Sequence, residues 1–238
     1  MPGRLARQDR KERMALLLGI AAASILLWQT TLGSLLLYPF TILATWFHEM
    51  GHGLAAMLAG RRFDRLLIFA DGSGVALSSG PADGYGLTNA LVAASGPLGP
   101  AIAGALLIMA SRSPRAARIA LAVLGAALIA STAIWVRSPT GWMVLPALGL
   151  GMALLALRGS PAWRGFAVQL LGVQAAISAW QQLDYLFSPG GNVGGELHRS
   201  DTGAIADALL LPYWFWGGAI SGAILALLWW SFSRAFRR

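Results

Sequence analysis

This chain contains a series of long segments without a single charged residue: 14–27, 86–110, 119–136, 141–157, 165–183 and 208–232. The hydrocarbon core of a bilayer is about 30 Å thick, and a helix needs about 20 apolar residues to cross it. Across the chain only 12% of the residues are charged, against about a quarter in soluble domains. The sequence therefore excludes a soluble enzyme and predicts a polytopic membrane protein.

The apolar segments predict an all-α membrane fold of six or seven transmembrane helices. We expect Pro39 in the first turn of the second helix, and a break or kink at 96–100 in the third. Residues 1–13 are predicted to form a basic cytoplasmic tail, and 14–238 a single integral-membrane domain. The predicted spans are 14–31, 39–60, 88–110, 116–136, 141–157, 165–187 and 209–231; the count falls to six if 141–157 does not cross.

One segment between the early spans has the pattern of a small β-hairpin. Residues 65–70 and 74–78 flank Asp71-Gly72, a dipeptide that tolerates the positive φ of tight hairpin turns. Residues 80–87 are expected to form a loop, and 188–207 the one long polar loop. Within that loop, Ser200-Asp201 resembles an N-cap for a short helix over 202–210.

The net charge of +8 comes from basic residues at the ends of apolar segments, as in Arg61-Arg62 after the second span. Such residues anchor a protein to lipid head groups and favour a cytoplasmic N-terminus. The bilayer is therefore the expected partner, and nucleic acid is not, because no basic patch carries interleaved aromatic residues. The chain contains no cysteine, which excludes thiolate catalysis, iron–sulfur clusters and sulfur-ligated zinc.

The chemistry of the chain is concentrated in His48-Glu49-Met50-Gly51-His52. This spacing places both imidazoles on one helix face, where they can share a zinc ion, with the intervening glutamate able to take a proton from water. The motif lies well inside an apolar span, where ionisable residues are costly and mark functional sites.

A hydrolytic zinc site needs a third protein ligand, and the acidic residues offer few candidates. Asp184 stands out because it lies near the end of an apolar span. Asp201 and Asp207 compete with it, although Asp201 also suits a capping role. His198, in a glycine-rich loop, is a further candidate that is more often solvated.

Together these pieces resemble the site-2 protease family of intramembrane zinc metallopeptidases, in particular its compact bacterial members without a PDZ domain. The matching elements are the His-Glu-x-x-His-Gly motif at 48–53, the hairpin at 65–78, Ala-Ser-Gly-Pro-Leu-Gly-Pro at 94–100, and Leu183-Asp184. The resemblance implies that His48, His52 and Asp184 bind zinc and that Glu49 is the general base. Because the family's metal-bearing helices are parallel, it also favours seven spans, with three between the two helices.

The resemblance implies hydrolysis of peptide bonds in membrane-spanning protein substrates. The compact form and the use of Arg over Lys, with many alanines, indicate a bacterial inner membrane. Water would reach the site by a polar cavity, for which Ser78, Ser79, Asn89, Ser95 and the predicted break at 96–100 are candidate lining. The hairpin could offer an edge strand to an unwound substrate.

Two other classes of protein fit parts of the pattern. A catalytically inactive family member could act as a membrane scaffold or chaperone, a reading favoured by Tyr185, which follows Asp184 where the family usually has glycine. Broken helices and buried acids are also typical of transporters. Substitution of Glu49 by Gln discriminates among them, since it should stop proteolysis while leaving zinc bound.

Overall fold

The computed structural model describes residues 2–80 and 86–236, with side chains from Lys11 onward. The predicted loop at 80–87 falls mostly outside the described residues. The described chain contains the helices α1 (Pro2–Trp28), α2 (Thr31–Leu58), α3 (Gly86–Ala110), α4 (Pro114–Ile134), α5 (Pro139–Arg158), α6 (Pro161–Gln181), α7 (Leu183–Leu186), α8 (Asp201–Ala208) and α9 (Tyr213–Phe236). Its strands are β1 (Arg62–Ile68), β2 (Gly74–Ser79), β3 (Gly190–Val193) and β4 (Glu196–Arg199).

The long helices confirm the prediction of an all-α polytopic membrane protein. Each predicted span coincides with one of α1–α6 or α9. Among the described residues, α3, α4, α5 and α9 are long and apolar enough to cross a membrane by themselves, and α1 with α2, bent by 117°, would add a fifth span. By this criterion the count is four to five, below the six or seven predicted. Helix α6, which overlaps the predicted span 165–187, is not among these helices, and it carries three glutamines: Gln169, Gln174 and Gln181.

Residues 2–13 of the predicted basic tail are helical and continuous with the first span, since α1 begins at Pro2; their cytoplasmic location stays a prediction. Two local predictions are corrected by the helices themselves. Pro39 lies inside α2 rather than in its first turn, because Thr30 caps the helix by accepting a hydrogen bond from the Gly33 N–H. Helix α3 continues through Pro97 and Pro100 without the predicted break.

The predicted β-hairpin is present, and one of its two outer edges is paired with another segment of the chain. Strands β1 and β2 pair antiparallel, and Gly72 in the turn has a φ of 88°. The outer edge of β1 is already paired, because the Leu66 N–H donates to the Trp135 carbonyl and the Arg137 N–H donates to Leu66, both at 2.9 Å. The outer edge of β2 is thus the one left for another strand.

A second hairpin lies within the segment predicted as a polar loop. Strands β3 and β4 pair antiparallel, and Gly194 and Gly195 between them have φ values of 61° and 92°. This Gly-Gly dipeptide is the sequence feature that could have predicted the turn. The two hairpins meet, because the Gly194 N–H donates to the Ser73 hydroxyl at 3.2 Å.

The helices form a bundle with two distinguishable ends. At one end, which we call the terminal end, Arg13 donates to the Ser111 and Arg112 carbonyls, and Ala235 of α9 packs in the same cluster as Leu17. At the opposite end, the hairpin end, Arg61 donates to Asn89 at the start of α3. The hairpin end also carries β1–β4.

Candidate metal centre

Two histidines and one aspartate converge between α2 and α8. The Nε2 atoms of His48 and His52 lie 3.1 Å apart. His48 Nε2 is 3.1 Å from Asp201 Oδ2, and His52 Nε2 is 3.2 Å from Asp201 Oδ1. The three possible ligand atoms lie within 4.8 Å of one another, with His48 and Asp201 buried and His52 half-buried.

The hydrogen bond made by the Nδ1 atom of each imidazole determines that its Nε2 atom faces the point where the three residues converge. His48 Nδ1 lies 3.1 Å from Gln182 Oε1, and His52 Nδ1 lies 2.8 Å from the Val92 carbonyl oxygen. Both partners are acceptors, so each Nδ1 must carry the hydrogen, and in a neutral ring each Nε2 then presents a lone pair. Hydrogen bonds of this kind orient histidines that bind metal ions.

The group has the geometry and the donor set of a metal site. Two nitrogen ligands at about 2.0–2.1 Å from a tetrahedral zinc ion are about 3.3 Å apart, close to the separation of the two Nε2 atoms. Asp201 Oδ2 is buried and has no hydrogen-bond partner of acceptable geometry among the described residues.

Among the described residues, the one carboxylate that the structure brings to the two histidines is that of Asp201, and the structure does not bring Asp184 there. Asp184 is exposed in α7 and lines a separate cavity with Trp28 and Trp180. The capping role considered for Asp201 belongs to its neighbour, since the Ser200 hydroxyl accepts from the Gly203 N–H at 3.0 Å. Asp201 is thereby free to face the histidines. The preference for seven spans assumed that the third ligand lies on a late span parallel to α2. Asp201 lies on the short helix α8, so this reason no longer applies.

The remaining candidates lie around the centre rather than in it. Asp207 forms an exposed ion pair with Arg199. His198 lines a cavity beside the centre together with the predicted residues Ser78 and Asn89. The predicted Ser79 and Ser95 are not part of that lining, and the Ser95 hydroxyl instead donates to the Val92 carbonyl.

The Glu49 side chain extends from α2 toward the first hairpin. Its side chain is buried, and its carboxylate accepts a hydrogen bond from the Ala76 backbone N–H in β2. A Cβ atom on Gly74 would lie 3.0 Å from Glu49 Cγ and 2.5 Å from Thr45 Cγ2. Only glycine at this position lets β2 approach the helix so closely.

Glycines of α2 and α3 allow the two helices to pack closely at the histidines. A Cβ on Gly96 would lie 2.1 Å from His52 Nε2 and 2.8 Å from His48 Nε2. A Cβ on Gly51 would lie 2.3 Å from the Ser95 carbonyl oxygen, and one on Gly99 would lie 2.3 Å from that of Phe47. The Gly-Pro-Leu-Gly-Pro segment, predicted to be a break or kink in the span, therefore lets α3 pack against the two histidines.

Two cavities reach His48 and Glu49. The first, of about 250 Å³, lies between α3, β2 and β4, and the second, of about 290 Å³, lies between α2, α6 and the first hairpin turn. Tyr185 lines both, and its hydroxyl donates to the Arg199 carbonyl at 3.4 Å.

Comparison with known proteins gives one match of high coverage. A family model described as "Peptidase M50B-like" matches residues 17–231, a range that contains the whole metal centre. No curated protein and no solved structure matches this chain.

Proposed function

This chain belongs to the peptidase M50B-like family, and from that premise we propose that it is a zinc-dependent protease that cuts membrane-spanning segments of other proteins. The observation that carries the proposal is the convergence of His48, His52 and Asp201, with Glu49 beside them at the meeting point of two cavities. The proposal includes a bacterial inner membrane as the location, with the N-terminus in the cytoplasm.

In this proposal His48 and His52 Nε2 and the Asp201 carboxylate bind the zinc ion. Zinc in such a site supplies Lewis acidity, which lowers the pKa of water and polarises a carbonyl oxygen. Gln182 and the Val92 carbonyl hold the two imidazoles in the tautomer and orientation that binding needs. The cavity of about 250 Å³ is large enough to hold water beside these ligands.

Glu49 moves the proton in the hydrolysis. Its carboxylate takes a proton from the attacking water while the water oxygen forms a bond to the carbonyl carbon, and that proton then goes to the nitrogen as the C–N bond breaks. The Ala76 N–H orients the carboxylate. The Tyr185 phenol, which lines both cavities, donates to the Arg199 carbonyl at 3.4 Å and would donate to the developing oxyanion by exchanging this long hydrogen bond for it.

A substrate helix must unwind before its peptide bond can be attacked, and β2 offers the unwound segment a place to pair. The opposite strand edge is closed by the Leu66–Val136 bridge. Because both backbone groups of Leu66 face that bridge, its partner Ala76 directs its own backbone groups away from β1, toward the centre. Gly74, Val75 and Ala76 line the first cavity, so a paired substrate would lie beside Glu49.

The zinc content of the detergent-purified protein tests the ligand set. We expect about one zinc per chain in the wild type, in Glu49→Gln and in Asp184→Asn, and a loss of zinc in Asp201→Asn. Loss in Asp184→Asn alone would restore the ligand predicted from the sequence. Absence of zinc from carefully prepared wild type would contradict the proposal.

Proteolytic activity, and not zinc content, distinguishes the proposed protease from a non-catalytic membrane scaffold. We expect Glu49→Gln to abolish cleavage of a membrane-spanning reporter while the zinc content and thermal stability stay at wild-type levels. A reporter that is processed equally by both proteins would favour the scaffold.

A further inference from the structure

We propose that Arg61 selects substrates that carry a carboxylate near the cleaved peptide bond. This carboxylate would lie on the side of the cavity formed by Arg61 and Asn89. Arg61 follows the C-terminus of α2 and lines the same small cavity as His48, Glu49, His52 and Asp201. This inference rests on the proposed proteolytic function and names the chemistry of its substrate.

The wall of this cavity carries one positive charge without a countercharge among the described residues. A zinc ion would be balanced by the Glu49 and Asp201 carboxylates, and Arg199 is paired with Asp207. The guanidinium of Arg61 donates to the neutral amide oxygen of Asn89, and no described carboxylate lies within 4.0 Å of it. A substrate carboxylate would therefore meet a cation that pairs with no carboxylate in the described part of the chain.

The position of Arg61 favours a role in recognition. Its side chain is half-buried, and a Cβ on Gly80 would lie 3.1 Å from Arg61 Cγ, so that the stem is packed against the chain after β2. One hydrogen bond to Asn89 leaves further N–H donors in the planar fork that matches a carboxylate. The neighbouring Arg62 differs on each point, because it is exposed, paired with Asp64 and outside the cavity lining.

A charge-reversal experiment on the full-length protein in detergent tests the proposal. The probes are single-span model segments with a central glycine pair, carrying Asp, Asn or Lys at one position that is scanned along the segment. We expect wild type to cleave the Asp segment about tenfold or more faster than the Asn segment, in kcat/KM, at one position. Arg61→Glu should prefer Lys at that same position, Arg61→Gln should lose the preference, and Arg62→Glu should behave as wild type.

The readouts separate the possible failures. Cleavage of the Asn segment by wild type and not by Glu49→Gln establishes proteolysis independently of charge. Active wild type without a charge preference overturns the role of Arg61 alone. An equal loss on all segments in Arg61→Glu, at wild-type zinc content, also overturns it and points to a contact with lipid phosphate. Wild type that cleaves no segment overturns the proposed function and this inference together.

Discussion

At the level of single residues, the metal centre depends on which nitrogen each histidine presents. The spacing of His48 and His52 puts both on one helix face, but a neutral imidazole can present either nitrogen. Gln182, at the C-terminus of α6, decides this for His48, and a backbone carbonyl of α3 decides it for His52. Neither partner can be identified from the His-Glu-x-x-His motif.

Substitution of Gln182 by Leu should weaken zinc binding while leaving the fold intact. The variant removes the acceptor that holds His48 Nδ1–H, and loss of such a partner costs about 10–100-fold in metal affinity. Competition with a chromophoric chelator measures the effect. The matched control is Gln181→Leu, which changes the adjacent glutamine, an exposed residue that is not bonded to either histidine. Equal zinc affinities in the two variants would contradict the role of Gln182.

At the level of elements, the geometry of the centre depends on the close packing of α3 against α2, because Gly96 faces both imidazoles. We expect Gly96→Ala to displace His48 or His52 and to lower zinc content, because its Cβ would occupy the space of His52 Nε2. The control is Gly151→Ala in α5, where no described atom lies within 4 Å of the added Cβ and where alanine should stabilise the helix by roughly 0.5–1 kcal/mol. Full zinc content in Gly96→Ala would show that the helices can separate.

Strand β2 supports a second prediction at this scale, on how substrate binds. Since the chain has no cysteine, a single Ser78→Cys in the Glu49→Gln background can be crosslinked to single cysteines scanned along a model substrate. A substrate paired as a strand should give crosslinks that alternate with a period of two residues. A substrate bound as an intact helix should give a period of three to four, and that result would contradict strand addition. Ser79→Cys, outside the cavity lining, is the control.

At the level of the whole molecule, basic residues are unevenly divided between the two ends of the bundle. The hairpin end carries Arg61, Arg62, Arg65, Arg137 and Arg199. The terminal end carries a larger set: Arg4, Arg7, Arg10, Lys11, Arg13, Arg112, Arg115, Arg118, Arg158, Arg164 and Arg234. The excess of positive charge favours the terminal end in the cytoplasm. The metal centre then opens toward the opposite face of the membrane.

Single cysteines at the two ends test this orientation in intact cells. We expect a membrane-impermeant maleimide to label Leu197→Cys in β4 in intact spheroplasts, and to label Ala162→Cys at the start of α6 only after permeabilisation. Both positions are exposed, so detergent should make both reactive and provides the control. The reverse pattern would place the N-terminus outside the cytoplasm.

The membrane class, the places of the long helices, the first hairpin and the pair of histidines could all be predicted from the sequence. Each depends on residues that are close in the chain: uncharged runs as long as a bilayer is thick, the Asp71-Gly72 turn, and imidazoles one helical turn apart. The second hairpin was also encoded locally, in Gly194-Gly195, but its short strands lack a hydrophobic alternation that would have marked them.

That Asp201, and not Asp184, lies beside the two histidines depends on the tertiary structure. In the sequence, Asp184 lies near the end of an apolar segment, while Asp201 lies in the polar loop after it, where local pattern favoured a capping role. The choice depends on how α8 packs against α3 and on Ser200 taking the cap, which leaves the Asp201 carboxylate facing the two Nε2 atoms. Contacts between residues about 150 positions apart are set by the packing of whole helices, and no spacing within the chain specifies them.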